Sequence, residues 1–175
     1  MAKNTDRIQG NGSRSAELDP VDRRILSELA VDATQSFATL GGIVGLSAPA
    51  VHERVKRLRA RGVIRGTVAM LDGKAVGKPL LAFVHVDTTG WGKTPALMQF
   101  ADIPEVEEVH SSTGDACLIM KVRVASSEAL EGLLARLYAT EGVRGTRTYV
   151  ALSTHTERSV QAGISSELED TPNIY

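Results

Sequence analysis

Apolar residues recur at helical spacing through the first third of the chain. In "LDPVDRRILSELA" Ile25, Leu26 and Leu29 form one stripe, Leu18 can staple onto the first turn, Asp19 is placed to cap and Pro20 suits the first helical position. A second helix follows Ser36 in "SFATLGGIVGL", with Leu40, Ile43 and Val44 inward and Gly45 closing it in a tight turn. Gly41 and Gly42 within it cost about 1 kcal/mol each relative to Ala, so this helix depends on packing. A third helix begins at Ser47, and its Val51, Val55 and Leu58 recur at i, i+4 and i+7. Advancing ~100° per residue puts Pro49, Glu53, Lys56 and Arg57 opposite that stripe, flanked by His52. Gly62 stops the helix, and "VIRGTVAML" then alternates as a short strand pair would, which predicts a wing.

Beyond Pro79 the period changes to two. "LLAFVHVDT" reads as a strand, "KTPALMQFADI" as a short helix, and "EVEEVHSST" and "ACLIMKVRVA" as strands joined at Gly114-Asp115. "SSEALEGLLARLYAT" predicts a helix with Leu130, Leu133, Leu134 and Leu137 inward, and "RGTRTYVALST" a last strand. The order β-α-β-β-α-β is the ferredoxin-like arrangement. The fold class expected is therefore α+β, a winged helix-turn-helix followed by a ferredoxin-like domain. Boundaries follow composition: a disordered tail over 1–17, a DNA-binding domain over 18–66, a linker over 67–79, the ferredoxin-like domain over 80–155 and a C-terminal tail over 156–175. Leu81 and Phe83 make the first strand apolar on the side away from Leu80, Ala82, Val84 and Val86, while the helices cover one face only. A second copy of the sheet supplies the simplest cover, giving a symmetric dimer.

Charge changes the picture of the third helix. The chain's net charge is -1, yet residues 1–72 carry 11 Lys/Arg against 8 Asp/Glu, and residues 73–175 carry 9 against 13. Six of the cations, Arg54, Lys56, Arg57, Arg59, Arg61 and Arg65, fall between Ser47 and Gly66. A basic amphipathic helix alone is equally a solvated face, a membrane surface or a site for an acidic partner. The preceding helix, the Gly45 turn and the expected wing together favour the major groove of double-stranded DNA. The rest of the composition narrows the field. One cysteine, Cys117, fits a reducing cytoplasm, the four histidines are scattered rather than set at metal-ligand spacing, and no apolar run suits a membrane span or a secretory signal. No nucleophile-base-acid constellation or phosphate loop is evident, so the chain reads as no enzyme and as needing no cofactor.

The segments "LDPVDRRILSEL", "VGLSAPAVHERVKRLRARGVIRG", "VGKPLLAFVHV", "STGDACLIMKVRV" and "GTRTYVALST" resemble, in order and spacing, the leucine-responsive regulatory protein/AsnC family, the feast/famine transcription regulators. The resemblance covers residues 18–155. It implies a transcription regulator that binds DNA, responds to an amino acid, and forms homodimers that assemble further, commonly to octamers. Carried onto this chain, the DNA contacts fall on Ser47, Pro49, His52, Arg54 and Lys56, with Arg57 near phosphate. The effector loop falls on Thr113, Gly114, Asp115, Ala116 and Cys117, and the paired threonines of the last strand on Thr146 and Thr148. An amino acid requires N–H groups for its carboxylate and an acceptor for its ammonium, a role Asp115 suits.

Three departures qualify the match. Cys117 stands where many members have Asp, Thr39-Leu40-Gly41 replaces a common Glu-Leu-Ala and so lacks a capping-box acid, and Gln35 replaces an Arg. Two other functions remain open at this level. One is a sirohaem-type tetrapyrrole decarboxylase of the same fold, using His85 and His110; the other is a nucleoid-associated DNA-binding protein without an effector.

Overall fold

The computed structural model describes residues 18–90 and 94–165. The expected tail over 1–17 and residues 166–175 of the expected C-terminal tail lie outside the described residues. The described residues divide into two compact units, one built from residues 18–68 together with 158–165, the other from residues within 69–157.

The first unit is three helices, α1 (Pro20–Val31), α2 (Phe37–Val44) and α3 (Ala48–Ala60). Asp19 caps α1, its carboxylate accepting from the Asp22 amide at 2.6 Å. Ser36 caps α2 by accepting from the Thr39 amide at 3.1 Å. The Thr39 hydroxyl lies 2.8 Å from that of Ser36, so a hydroxyl pair stands where a capping-box acid is missing. Ile25, Leu40, Val51 and Val55 are fully withdrawn from water, with Leu29, Phe37, Val44 and Ile64 against them. Each buried Leu or Ile contributes roughly 2 kcal/mol, enough to offset the two helix-interior glycines. Gly45 holds φ +73°, the left-handed turn between α2 and α3. Gly41 has a second reason to be glycine: a Cβ there would stand 2.4 Å from the Leu46 carbonyl oxygen.

The expected wing is corrected. Residues 63–71 form no strand. The amides of Val63 and Ile64 both donate back to the Leu58 carbonyl at 2.9 and 3.3 Å, so the end of α3 consumes the first arm of the ribbon. Ile64 turns into the helical core, and Val68, Met70 and Leu71 are exposed. The element formed is a helix-turn-helix followed by chain in neither helix nor strand.

The second unit contains β1 (Leu80–Thr88), a short α4 (Pro95–Met98) running into a 3-10 turn (Gln99–Asp102), β2 (Val106–Ser111), β3 (Leu118–Val124), α5 (Ser127–Tyr138) and β4 (Val143–Val150). The strands form one antiparallel sheet in the order β2-β3-β1-β4, the ferredoxin-like topology. Ala82, Val84 and Val86 of β1 and Met120 and Val122 of β3 pack on Leu97, Phe100, Leu130, Leu133 and Leu137. Leu81, Phe83, His85 and Asp87 point to the other face because successive strand residues alternate. Residues 69–79, expected as a linker, belong to this unit: Lys78 donates to the Pro104 carbonyl at 3.0 Å and pairs with Glu105 at 3.2 Å.

Candidate functional site

On α3 the inward set is Val51, Val55 and Leu58, all buried. Ser47, Pro49, His52, Glu53, Lys56 and Arg57 are exposed, and Pro49, His52 and Lys56 follow one another along the outer surface. The Ser47 hydroxyl makes no capping bond to its own helix; Pro49, in its first turn, has no N–H to offer. The His52 ring lies 5.2 Å from that of Phe37 and 3.6 Å from the Glu53 carboxylate. Lys56 has no partner among the described residues.

Arg54, expected among the DNA contacts, is turned toward the first helix in this structure. Its Nη1 donates to Asp19 at 2.5 Å and to Asp22 at 2.8 Å, tying α3 to the start of α1. Asp22 is 2% exposed, and its other oxygen accepts from Arg57 Nη2 at 3.2 Å. The Arg54 guanidinium holds the Asp19 carboxyl below its usual value, and Asp19 in turn raises that of Arg54. Sequence spacing held a signal for this. Arg54 lies only about 60° from the centre of the apolar stripe, on its flank rather than opposite it.

At one end of the sheet the β2–β3 turn meets the chain leaving β1. The Cys117 amide donates to the Val86 carbonyl at 3.1 Å, and its sulfur lies 3.7 Å from the Gly90 carbonyl oxygen and 3.9 Å from that of Thr88. The Gly114 amide donates to the Ser112 hydroxyl at 3.2 Å. Thr113, Gly114 and Asp115 are exposed, while Ala116 is buried and has no side-chain surface to present. Asp115 is already engaged: Arg147 reaches its carboxylate at 2.8 Å and its carbonyl at 3.1 Å. Sequence reasoning missed Arg147. Its alternation within β4 marked it as facing away from Thr146 and Thr148.

Thr146 and Thr148 pair with Val86 and Val84 and so share the helix-covered face. Val86 is flanked by Thr146 on one side and Leu118 on the other, which places Thr146 about 10 Å across the sheet from the start of β3. Thr148 is a further pleat away, so a single chain does not gather it with residues 113–117. A concavity of about 420 Å³ opens between α5 and the 3-10 turn, beneath Arg136 and Phe100, and none of the expected effector residues lines it.

The uncovered sheet face is divided. Phe83, His85 and Tyr149 make an apolar-aromatic patch, the His85 and Tyr149 rings meeting edge-on at 5.1 Å. Beside it Lys121 and Arg123 bind Glu107 and Glu157 at 2.7–3.0 Å. Burial pushes the Glu107 carboxyl up, but Arg123 and Lys121 outweigh it and hold the group low; Lys121 does the same for Glu157. His85 and His110 flank Ile119 on this face, and His110 is paired with Glu108 at 2.8 Å. Among the described residues no cluster of His, Cys, Asp or Glu could hold a metal, and no helix is long and apolar enough to cross a membrane.

A helix-turn-helix with cations on its last helix is thus carried in one chain with a ferredoxin-like sheet. Residues 18–59 match the AsnC-type helix-turn-helix domain and residues 81–161 the Lrp/AsnC ligand binding domain. The chain is 41% identical over 140 residues to the HTH-type transcriptional regulator LrpA of Mycobacterium tuberculosis, covering 78% of this chain and 91% of that one. It is 37% identical over 141 residues to the leucine-responsive regulatory protein of Escherichia coli K12, covering 78% and 85%. Among solved structures, a feast or famine regulatory protein from M. tuberculosis complexed with L-methionine matches with a TM-score of 0.77 at 37% identity, over 84% of this chain and all of that one. E. coli AsnC matches with a TM-score of 0.74 at 26% identity, over 82% and 98%. The chain belongs to the Lrp/AsnC family of transcription regulators.

Proposed function

We propose that this regulator works as a homodimer, assembling further in the manner of an octamer, whose two α3 helices address two half-sites of double-stranded DNA and whose affinity shifts when an amino acid binds at residues 113–117. The observation that carries the reading is the outer surface of α3, where Ser47, Pro49, His52 and Lys56 are exposed and Arg57 stands beside them with half its side chain in water. The second copy seats on the patch of Phe83, His85 and Tyr149, since apolar strand surface left in water favours association. The effector's ammonium is taken by Asp115 in exchange for Arg147, or by the carbonyl oxygens of Thr88 and Gly90 around Cys117. Cys117 brings no charge of its own, which favours an effector with an apolar side chain. The relatives' names support this reading, one being called leucine-responsive and another holding L-methionine. They are named as regulators, which supports a non-catalytic role and a cytoplasmic place.

The test is a thermal-shift screen of the twenty amino acids, followed by DNA-binding titrations with each hit. At least one amino acid is expected to raise the melting temperature and to change DNA affinity by about 5- to 150-fold. DNA binding that no amino acid alters contradicts the effector and leaves a nucleoid-type DNA-binding protein.

A further inference from the structure

An acid in the first turn of a helix is ordinary, but Asp22 has a side chain only 3% exposed, lying beneath two arginines of α3. One oxygen accepts from Arg54 and the other from Arg57. The two arginines differ in what they leave free. Arg54 is also held by Asp19, and its side chain is 27% exposed. Arg57 makes a single bond to Asp22, which occupies one of its five donors, and its side chain is 52% exposed on the margin of the outer surface of α3.

We propose that Asp22 is a positioning residue for DNA binding, holding the Arg57 guanidinium in the plane in which it meets a backbone phosphate. This rests on α3 being the DNA-contacting helix. A phosphate is recognised best by a guanidinium whose fork is already oriented, because a free arginine loses its rotamer freedom on binding. Asp22 supplies that orientation from below, and the Arg54 pair keeps the carboxylate balanced and out of reach of the DNA. The opposing effect has the opposite sign: a carboxylate near DNA repels it at long range, so removing Asp22 would then tighten binding. The two cations offset the charge of Asp22 at short range, which weakens that repulsion and favours the orienting effect.

A double-mutant cycle on the full chain, read by fluorescence anisotropy with a mixed-sequence synthetic duplex, tests this. Arg57→Ala and Asp22→Asn are each expected to weaken binding about fivefold, and the double variant also about fivefold rather than about 25-fold, because both remove one contact. Additive losses overturn the proposal, as does an Asp22→Asn protein that binds as well as or more tightly than the parent. Arg57→Ala with unchanged affinity also overturns the proposal, whereas unchanged affinity in both Arg57→Ala and Lys56→Gln overturns the reading of α3 on which it stands. If Asp22→Asn does not fold, the surface variant Arg57→Lys decides. It keeps the charge but lacks the planar fork, so it should bind as weakly as Arg57→Ala, whereas parental affinity shows that charge alone suffices and overturns the proposal.

Discussion

The cations of α3 answer to different partners although they are neighbours in sequence. Arg54 faces Asp19 and Asp22, while Lys56, two residues on, has an exposed ammonium with no partner among the described residues. Replacing Arg54 by Ala leaves Asp22 with Arg57 alone. The expected loss of stability is roughly 2 kcal/mol, below the range for a fully buried pair because Arg54 is partly solvated. Chemical denaturation of Arg54→Ala checks this, and a loss under about 0.5 kcal/mol, the ordinary surface value, contradicts it. The inward stripe of Val51, Val55 and Leu58 and the caps at Asp19 and Ser36 were legible in sequence because they follow from spacing and local chemistry. Spacing put Arg54 on the flank of that stripe, but its partners were not legible, because they come from another helix. Asp115 is a similar case, since its partner Arg147 comes from a strand that sequence order places far away.

At the level of elements, α2 is short and glycine-rich, and its turn is the piece of the first unit most sensitive to added volume. Gly41→Ala places a methyl against the Leu46 carbonyl and must shift the turn into α3; a destabilisation of about 1–3 kcal/mol is expected by thermal melting, although alanine is the better helix former. A stabilised variant contradicts the close approach. In the sheet, Glu107 and Glu157 have carboxyls held below their usual value of 4.5, and Asp19 in the first unit below 3.8. Folded values that are depressed mean stabilisation that is complete above those ordinary values and is lost as pH falls through the folded ones. The melting temperature should therefore be sustained on acidification toward pH 5 and fall below about pH 4.5, and a profile flat to pH 3 contradicts the ion-pair assignments. The strand order and the inward leucines of α5 were readable from periodicity. The expected wing was not formed, because an alternating pattern says that a segment is extended and not which strand it pairs with. The same limit hid the side taken by Thr146 and Thr148: sequence put them on one face together, and only their pairing with Val86 and Val84 showed which face that is.

For the whole molecule, the chain passes between its two units at Val68–Ala69 and again at Glu157–Arg158, where Glu157 is held on the sheet by Lys121 and Arg123. In the first unit Arg23 donates to the Ala162 carbonyl at 3.3 Å, so the segment after the sheet returns to α1. This return lies in the stretch that composition marked as a tail, and no periodic signal announced it. Regulation of the kind proposed requires the outer surface of α3 to be the surface that meets DNA. The most direct test compares the parent with Lys56→Gln by anisotropy with duplex DNA across a range of salt concentrations. Parental affinity should fall steeply with salt, and the variant, with unchanged stability, should bind about tenfold more weakly at low salt. Equal affinities, or an affinity indifferent to salt, would contradict the account.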